Sequence, residues 1–305
     1  MNRREFLTGA AVAGTVAAAG LAGCKNMSIG RSRSRFLFGA CRPLSEAKLL
    51  KSVGFDFIEP SVGEAFIPEA GADQWKRQLE VIKALELPIL SCNCFLPGKF
   101  RLTGPKADHE PALAYAETVL RRADEAGVKT IVFGSGGART VPGDLMSIAA
   151  PPPDVLGGYE QFTDFCAKLC GRVADLKRVT VVIEPLRANE TNIVNFVWQG
   201  LQISRRVNSP RLKVLADIYH MMAGGEGPES LVLAGDSLLH CHVAEYKTRS
   251  FPGNNPNQIA KLKPYFDALR NIGYCGGISC ECGWGASPAD FGRNYETALA
   301  VIKSL

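Results

Sequence analysis

Four side chains able to bind a metal end four consecutive apolar runs in the second half of this chain. Glu184 ends the run VVIE, Asp217 ends VLAD, His242 lies in LHCHV and Glu281 follows ISC. The gaps between them are 33, 25 and 39 residues, each close to one strand–helix repeat. Two glutamates, an aspartate and one imidazole make a mainly oxygen-donor set. Such a set suits Mn²⁺ first, then Mg²⁺, with Co²⁺ and Zn²⁺ as further choices. A divalent cation there could chelate a carbonyl oxygen and the neighbouring hydroxyl. It would then act as a Lewis acid for the cis-enediolate formed when the α-proton leaves. Two carboxylates on opposite faces of that carbon could exchange its proton.

Other polar residues end the earlier runs. Glu59 follows the second run, Asn93 the third, and the glycine-rich GSGGART (134–140) the fourth. That loop lacks the Lys-Ser/Thr of a phosphate-binding P-loop and reads better as a tight turn at the substrate. Trp284, three residues beyond Glu281, is the expected apolar stacking wall, with Trp198 and Phe66 as weaker choices.

The elements that must hold these residues alternate. Strand-like runs cover Phe36–Ala40, Phe55–Pro60, Pro88–Cys94, Thr130–Gly134, Thr180–Glu184, Lys213–Asp217, Leu238–Val243 and Gly277–Glu281. Helical patterns lie at 44–52, 72–86, 112–127, 162–177, 195–207, 256–271 and 288–304, with a weak one near Glu229–Ala234. Eight such units in one domain are the arithmetic of a (β/α)₈ TIM barrel. An open doubly wound sheet would more often show a glycine-rich dinucleotide turn after strand one, where Ala40-Cys41-Arg42-Pro43 stands instead. Barrel chemistry sits at the C-terminal strand ends, where the four ligands fall. Strand alternation turns Cys241, Cys280 and Cys282 outward if His240, His242 and Glu281 point inward. Those thiols then read as small core residues, not as a Cys-x-Cys metal site.

These motifs resemble the sugar isomerase/epimerase superfamily of divalent-metal barrels, which includes ketose 3-epimerases and hydroxypyruvate isomerase-like enzymes. The resemblance covers residues 35–305. It implies metal ligation by Glu184, Asp217, His242 and Glu281, with Glu184 and Glu281 also the catalytic acid–base pair. The family's Glu-x₅-Glu matches Glu184 and Glu190, its Asp-x-x-His matches Asp217 and His220, and its His-x-His-x-x-Glu matches His240, His242 and Glu245. Glu190, His220 and His240 are thereby expected at the substrate, and Glu59, Asn93 and Trp284, by their place at the strand ends, would complete the bowl around a sugar. The family's arginine six residues past the metal histidine is Thr248 here, so Arg249 is the expected cationic contact. The implied activity is isomerisation or epimerisation of a sugar, keto-sugar or cyclitol. A lyase or hydratase of 3-keto-glycosides would use the same intermediate, and a non-catalytic sugar-binding lipoprotein is the reading from another class. Related barrels often pair through the mouth, so a homo-oligomer is expected. Endonuclease IV shares the fold, but its zinc site needs more histidines than the four present.

The chain has 305 residues and a formal charge of +5. All of that excess lies in residues 1–35, leaving 29 basic and 29 acidic side chains in the remainder. A neutral body lacks the basic footprint of a nucleic-acid binder. Residues 1–23 resemble a twin-arginine export signal, with NRREFL at its start and LAGC at a lipoprotein processing site. Lipidation of Cys24, a tether over 24–34, and a periplasmic protein held to a bacterial membrane only by its lipid are then expected. The domain spans 35–305. Nine further cysteines, an odd number, make a disulfide framework unnecessary in a domain of this size.

Overall fold

The computed structural model describes residues 36–142 and 153–305. Cys24, the export motif and the tether lie outside the described residues. Eight parallel strands run β1 Leu37–Ala40, β2 Phe57–Ile58, β3 Ser91–Cys92, β4 Thr130–Phe133, β5 Thr180–Ile183, β6 Leu212–Asp217, β7 Leu238–Val243 and β8 Gly277–Cys280. Their order is β2-β1-β8-β7-β6-β5-β4-β3. Bridges Ile58↔Ile89 and Ser61↔Asn93 join the two ends, so the sheet curls into a (β/α)₈ barrel. Closure removes the exposed edges that an open sheet would carry.

One main helix follows each strand: α1 Ala47–Val53, α2 Ala72–Lys83, α3 His109–Ala126, α4 Pro153–Arg172, α5 Val197–Val207, α6 Glu229–Ala234, α7 Pro256–Asn271 and α8 Phe291–Ser304. The sequence pattern accounts for them. In α3, Ala112, Leu113, Ala116, Val119, Leu120 and Ala123 form one apolar stripe and are all buried. Asp108 caps its N-terminus by accepting from the Glu110 amide, and Gly127 ends it at φ 78°. Helix α4 begins nine residues earlier than the apolar periodicity suggested, at Pro153 rather than Phe162. The weak sixth helix is only six residues long.

Two cores result. The larger lies between sheet and helices, and the smaller, Val132, Val182 and Leu215, lies inside the barrel. Behind β4, Phe133 packs against Phe95, Phe162 and Phe165 at ring separations of 5.2, 5.0 and 5.9 Å. Each such pair adds about 0.5–1.5 kcal/mol beyond its area burial. This aromatic block holds the end of β4 against α4 where the strand meets the mouth. Cys92, Cys166, Cys170, Cys241 and Cys280 are buried as expected of core residues, whereas Cys94 and Cys275 are exposed and Cys41 and Cys282 are partly so. All nine are free thiols.

Candidate active site

Register aligns the predicted ligands at one level. Asp217 pairs with His242 across β6 and β7, and His242 with Ser279 across β7 and β8. Glu281 follows β8 and donates its amide to the Val243 carbonyl, while Glu184 follows β5 and donates its amide to Phe133. One donor atom from each of Glu184, Asp217, His242 and Glu281 lies within 4.8 Å of every other. His242 Nδ1 is 3.0 Å from Glu184 Oε1 and 3.5 Å from Glu281 Oε2.

Each carboxylate is held by something else. Asp217 caps the short helix Ile218–Gly224, its Oδ1 accepting from the Tyr219 and His220 amides. Its Oδ2 is buried without a hydrogen-bond partner. His220 is buried too. Its Nδ1 accepts from the Arg187 amide at 3.3 Å, so the ring proton is on Nε2, which has no partner and lies 3.4 Å from Asp217 Oδ2. Asn93 donates to Glu281 Oε1 at 3.2 Å, and Arg249 to Glu281 Oε2 at 2.5 Å. Arg249 also lies 3.8 Å from Asp217 Oδ2 and 3.5 Å from Glu190 Oε1, with its guanidinium 5.0 Å from the Tyr219 ring. Residue 249 reaches the cluster from a left-handed backbone, φ 51°, and Lys247, two residues before it, is left-handed as well at φ 73°. Cys94, Ser135 and Val194 share that conformation in other strand-end loops, so strain gathers around the mouth.

The electrostatics are those of a cation site. Burial and then Glu281 push the Asp217 carboxyl up to about 6, and the same causes raise Glu184. Burial also raises Glu281, but His242 and Arg249 outweigh it and hold that group at about 2. Burial disfavours the His242 cation, yet Glu59 and Glu281 hold its proton well above the ordinary range. Three crowded carboxylates, one with an orphaned buried oxygen, fit a divalent ion.

Three expected substrate contacts need correcting. Glu59 and His240 lie beneath the mouth, each only 1% exposed, and bond to each other at 2.7 Å. Glu59 also takes Ser91, Ser279 and His242, so no face is left for a sugar. Trp284 is not a stacking wall. It is buried, stacked on Phe251 with Tyr295 against it, because the chain turns inward after Glu281. Phe66 is buried beside Trp75, and Trp198 stacks on Phe196. Glu245 is buried and holds the 251–255 loop through the Gly253 and Asn255 amides. Glu190, His220, Arg249 and Asn93 do converge on the ligand cluster.

The glycine-rich loop has a steric purpose. A Cβ on Gly134 would come within 2.3 Å of Glu184 Oε2, and one on Gly136 within 2.6 Å of the Glu190 carbonyl. Sequence reasoning missed Arg139 at its end. This arginine is fully buried and donates to the carbonyls of Phe133, Glu184 and Val194, tying the β4 loop to β5. Burial lowers its pKa to about 10. A lone Arg in a loop gives no signal of burial. Also missed was Arg187, which bonds Glu190 and the Tyr219 hydroxyl.

A family model described as xylose isomerase-like TIM barrel matches residues 47–305. Among curated proteins, the L-ribulose 3-epimerase of Methylomonas sp. (strain DH-1) is 33% identical over 115 residues, 37% of this chain and 38% of the relative. The ketose 3-epimerase of Arthrobacter globiformis is 30% identical over 115 residues, 36% of this chain and 38% of the relative. The chain therefore matches well under half the length of either. Among solved structures, the 3-keto-D-glucoside 4-epimerase of E. coli superposes with TM-score 0.70 at 21% identity, over 89% of this chain and 100% of that one. A D-psicose 3-epimerase crystallised with D-fructose gives 0.71 at 19%, over 88% and 99%. Both likenesses concern the fold.

Proposed function

This chain belongs to the xylose isomerase-like TIM barrel family, and from that premise we propose that it is a divalent-metal-dependent epimerase or isomerase. Its substrate is a sugar, keto-sugar or cyclitol. The observation that carries this reading is the convergence of Glu184, Asp217, His242 and Glu281, donor atoms within 4.8 Å, at the C-terminal strand ends. These four would hold the ion, Mn²⁺ before Mg²⁺, Co²⁺ or Zn²⁺. When bound, the ion supplies a Lewis acid beside the substrate carbonyl.

The protein groups do the remainder. Glu184 and Glu281 come from β5 and β8, on different sides of the mouth, so each addresses one face of the reacting carbon. One removes the α-proton and the other returns a proton to the opposite face. Arg249 and the His220 Nε2–H, both turned into the cluster, would donate to substrate oxygens. The buried surroundings exclude water from the deprotonated intermediate. The curated 3-epimerase relatives support the substrate class.

Metal analysis, followed by solvent deuterium exchange into free and 3-keto sugars with added Mn²⁺, tests the reading. Exchange at a carbon next to a carbonyl, with epimer or isomer formed, is expected. A β-elimination product would make the enzyme a lyase. Neither exchange nor product would leave a sugar-binding protein.

Localisation is part of the same proposal. The NRREFL and LAGC motifs support twin-arginine export and lipid attachment at Cys24. Among the described residues no helix is long and apolar enough to cross a membrane. Cys24→Ser should move the protein from the membrane fraction to the soluble periplasmic fraction. Unchanged fractionation would sink the anchor.

A further inference from the structure

Beneath the ligand cluster, the Glu59 carboxylate collects four donors. His242 Nε2 donates to Oε1 at 2.8 Å. On Oε2 converge His240 Nε2 at 2.7 Å, the Ser91 hydroxyl at 2.6 Å and the Ser279 hydroxyl at 2.5 Å. Every group in this set is buried to at least 99%. The donors come from β3, β7 and β8, and Glu59 follows β2, so the network spans the barrel floor.

We infer that Glu59 is the positioning residue of the metal centre, fixing through His242 Nε2 the ring orientation and tautomer that leave Nδ1 free to bind the ion. This rests on the metal-centre reading above. An imidazole has two nitrogens, and only Nδ1 faces Glu184 and Glu281. With Nε2–H anchored on a carboxylate, the unprotonated lone pair belongs to Nδ1, and the ring cannot flip without losing a charge-assisted hydrogen bond. The negative partner also makes the ring a stronger donor to a metal. Ser91, Ser279 and His240 hold Oε2 in place, so Oε1 cannot swing away from His242.

A competing arrangement uses the same atoms. Cys41 Sγ, Glu59 and His242 Nε2 could ligate a second cation, their donor atoms lying within 4.8 Å of one another. Geometry favours the hydrogen bond. Nε2 and Oε1 are at hydrogen-bond separation, Cys41 Sγ stands off at 4.0 Å, and Oε2 is already saturated by three donors.

The test is Mn²⁺ binding to the metal-free full-length chain, wild type against Glu59→Gln, by electron paramagnetic resonance of free Mn²⁺. The wild type should bind one ion per chain. The variant should bind it about 10–100-fold more weakly, the usual loss when a carboxylate behind a metal histidine is removed. Histidine ¹⁵N spectra of the Zn²⁺-loaded protein should show His242 metal-bound at Nδ1 and protonated at Nε2, and a mixture in the variant. If Glu59→Gln does not fold, Ser91→Ala with Ser279→Ala loosens Oε2 and should weaken binding in the same direction. Unchanged affinity in a folded variant overturns the role of Glu59 alone. A second equivalent of metal in the wild type, lost in Cys41→Ala, overturns it in favour of the Cys41 site. A wild type that binds neither Mn²⁺ nor Zn²⁺ sinks the metal-centre reading along with it.

Discussion

Arg249 donates to Glu281 Oε2 at 2.5 Å from a backbone at φ 51°. Thr248 occupies the position at which the sequence resemblance implied an arginine, and Arg249 reaches the site from the next position, on the left-handed backbone it shares with Lys247. Burial opposes the Arg249 charge, but Glu281, Asp217 and Glu190 more than offset this and raise its pKa.

Arg249→Ala should therefore lower kcat/KM by about tenfold or more, the equivalent of one charge-assisted hydrogen bond of ~1.5–3 kcal/mol. The sign of the pH effect follows. Arg249 helps hold Glu281 down at about 2, so its loss raises the Glu281 pKa and moves the acid limb of the rate profile upward. Arg249→Lys should shift that limb less. Identical profiles for wild type and Ala variant would show that Arg249 does not act on Glu281.

Glu281→Gln removes a ligand and one of the two proton carriers. Loss of one positioned acid or base costs on the order of 10²–10⁴ in rate. Here metal occupancy should fall as well, so turnover is expected to vanish. Metal content and turnover of the purified variant check this, and retained metal with full activity would end the assignment.

Much of this site was legible because its residues recur with the barrel's period. Glu184, Asp217, His242 and Glu281 announce themselves by type, position after an apolar run and spacing, and a parallel barrel maps those directly onto one rim. Depth was not legible. Glu59 follows a strand just as Glu184 does, and register sets its backbone level with Glu281, yet its carboxylate turns down onto His240 and His242. Trp284 follows Glu281 closely, but nothing local to the sequence says that Phe251 and Tyr295 will cover it. Arg139 illustrates the converse. Its burial is decided by carbonyls from β4, β5 and the 194 turn, three partners distant in sequence from one another.

Metal affinity should fall as pH drops through about 6. Burial and Glu281 push Asp217 up to about that value, and a proton and a cation compete for the same carboxylate. His242, raised well above its ordinary range, must also shed its Nδ1 proton before that atom can bind. Affinity should accordingly keep rising with pH beyond 6, and binding should release protons. Calorimetry in buffers of different ionisation enthalpy measures that release. A dissociation constant flat from about pH 5 to 8 would contradict it.

Gly134→Ala tests whether the glycine-rich loop serves the ligands and not a phosphate. A Cβ there would sit 2.3 Å from Glu184 Oε2, so the carboxylate must move while His242 Nδ1 still lies on its other oxygen. A misplacement of about 1 Å at a reacting group costs on the order of 10² in rate. Gly137→Ala, in the same loop, is the control, since its Cβ would meet only Gly98 at an ordinary 3.6 Å. The expected result is weak metal binding and low activity for Gly134→Ala, near-normal behaviour for Gly137→Ala, and similar melting temperatures for both. Equal loss of activity in the two variants would mean that the loop needs its glycines for conformation, and the contact with Glu184 would carry no functional weight.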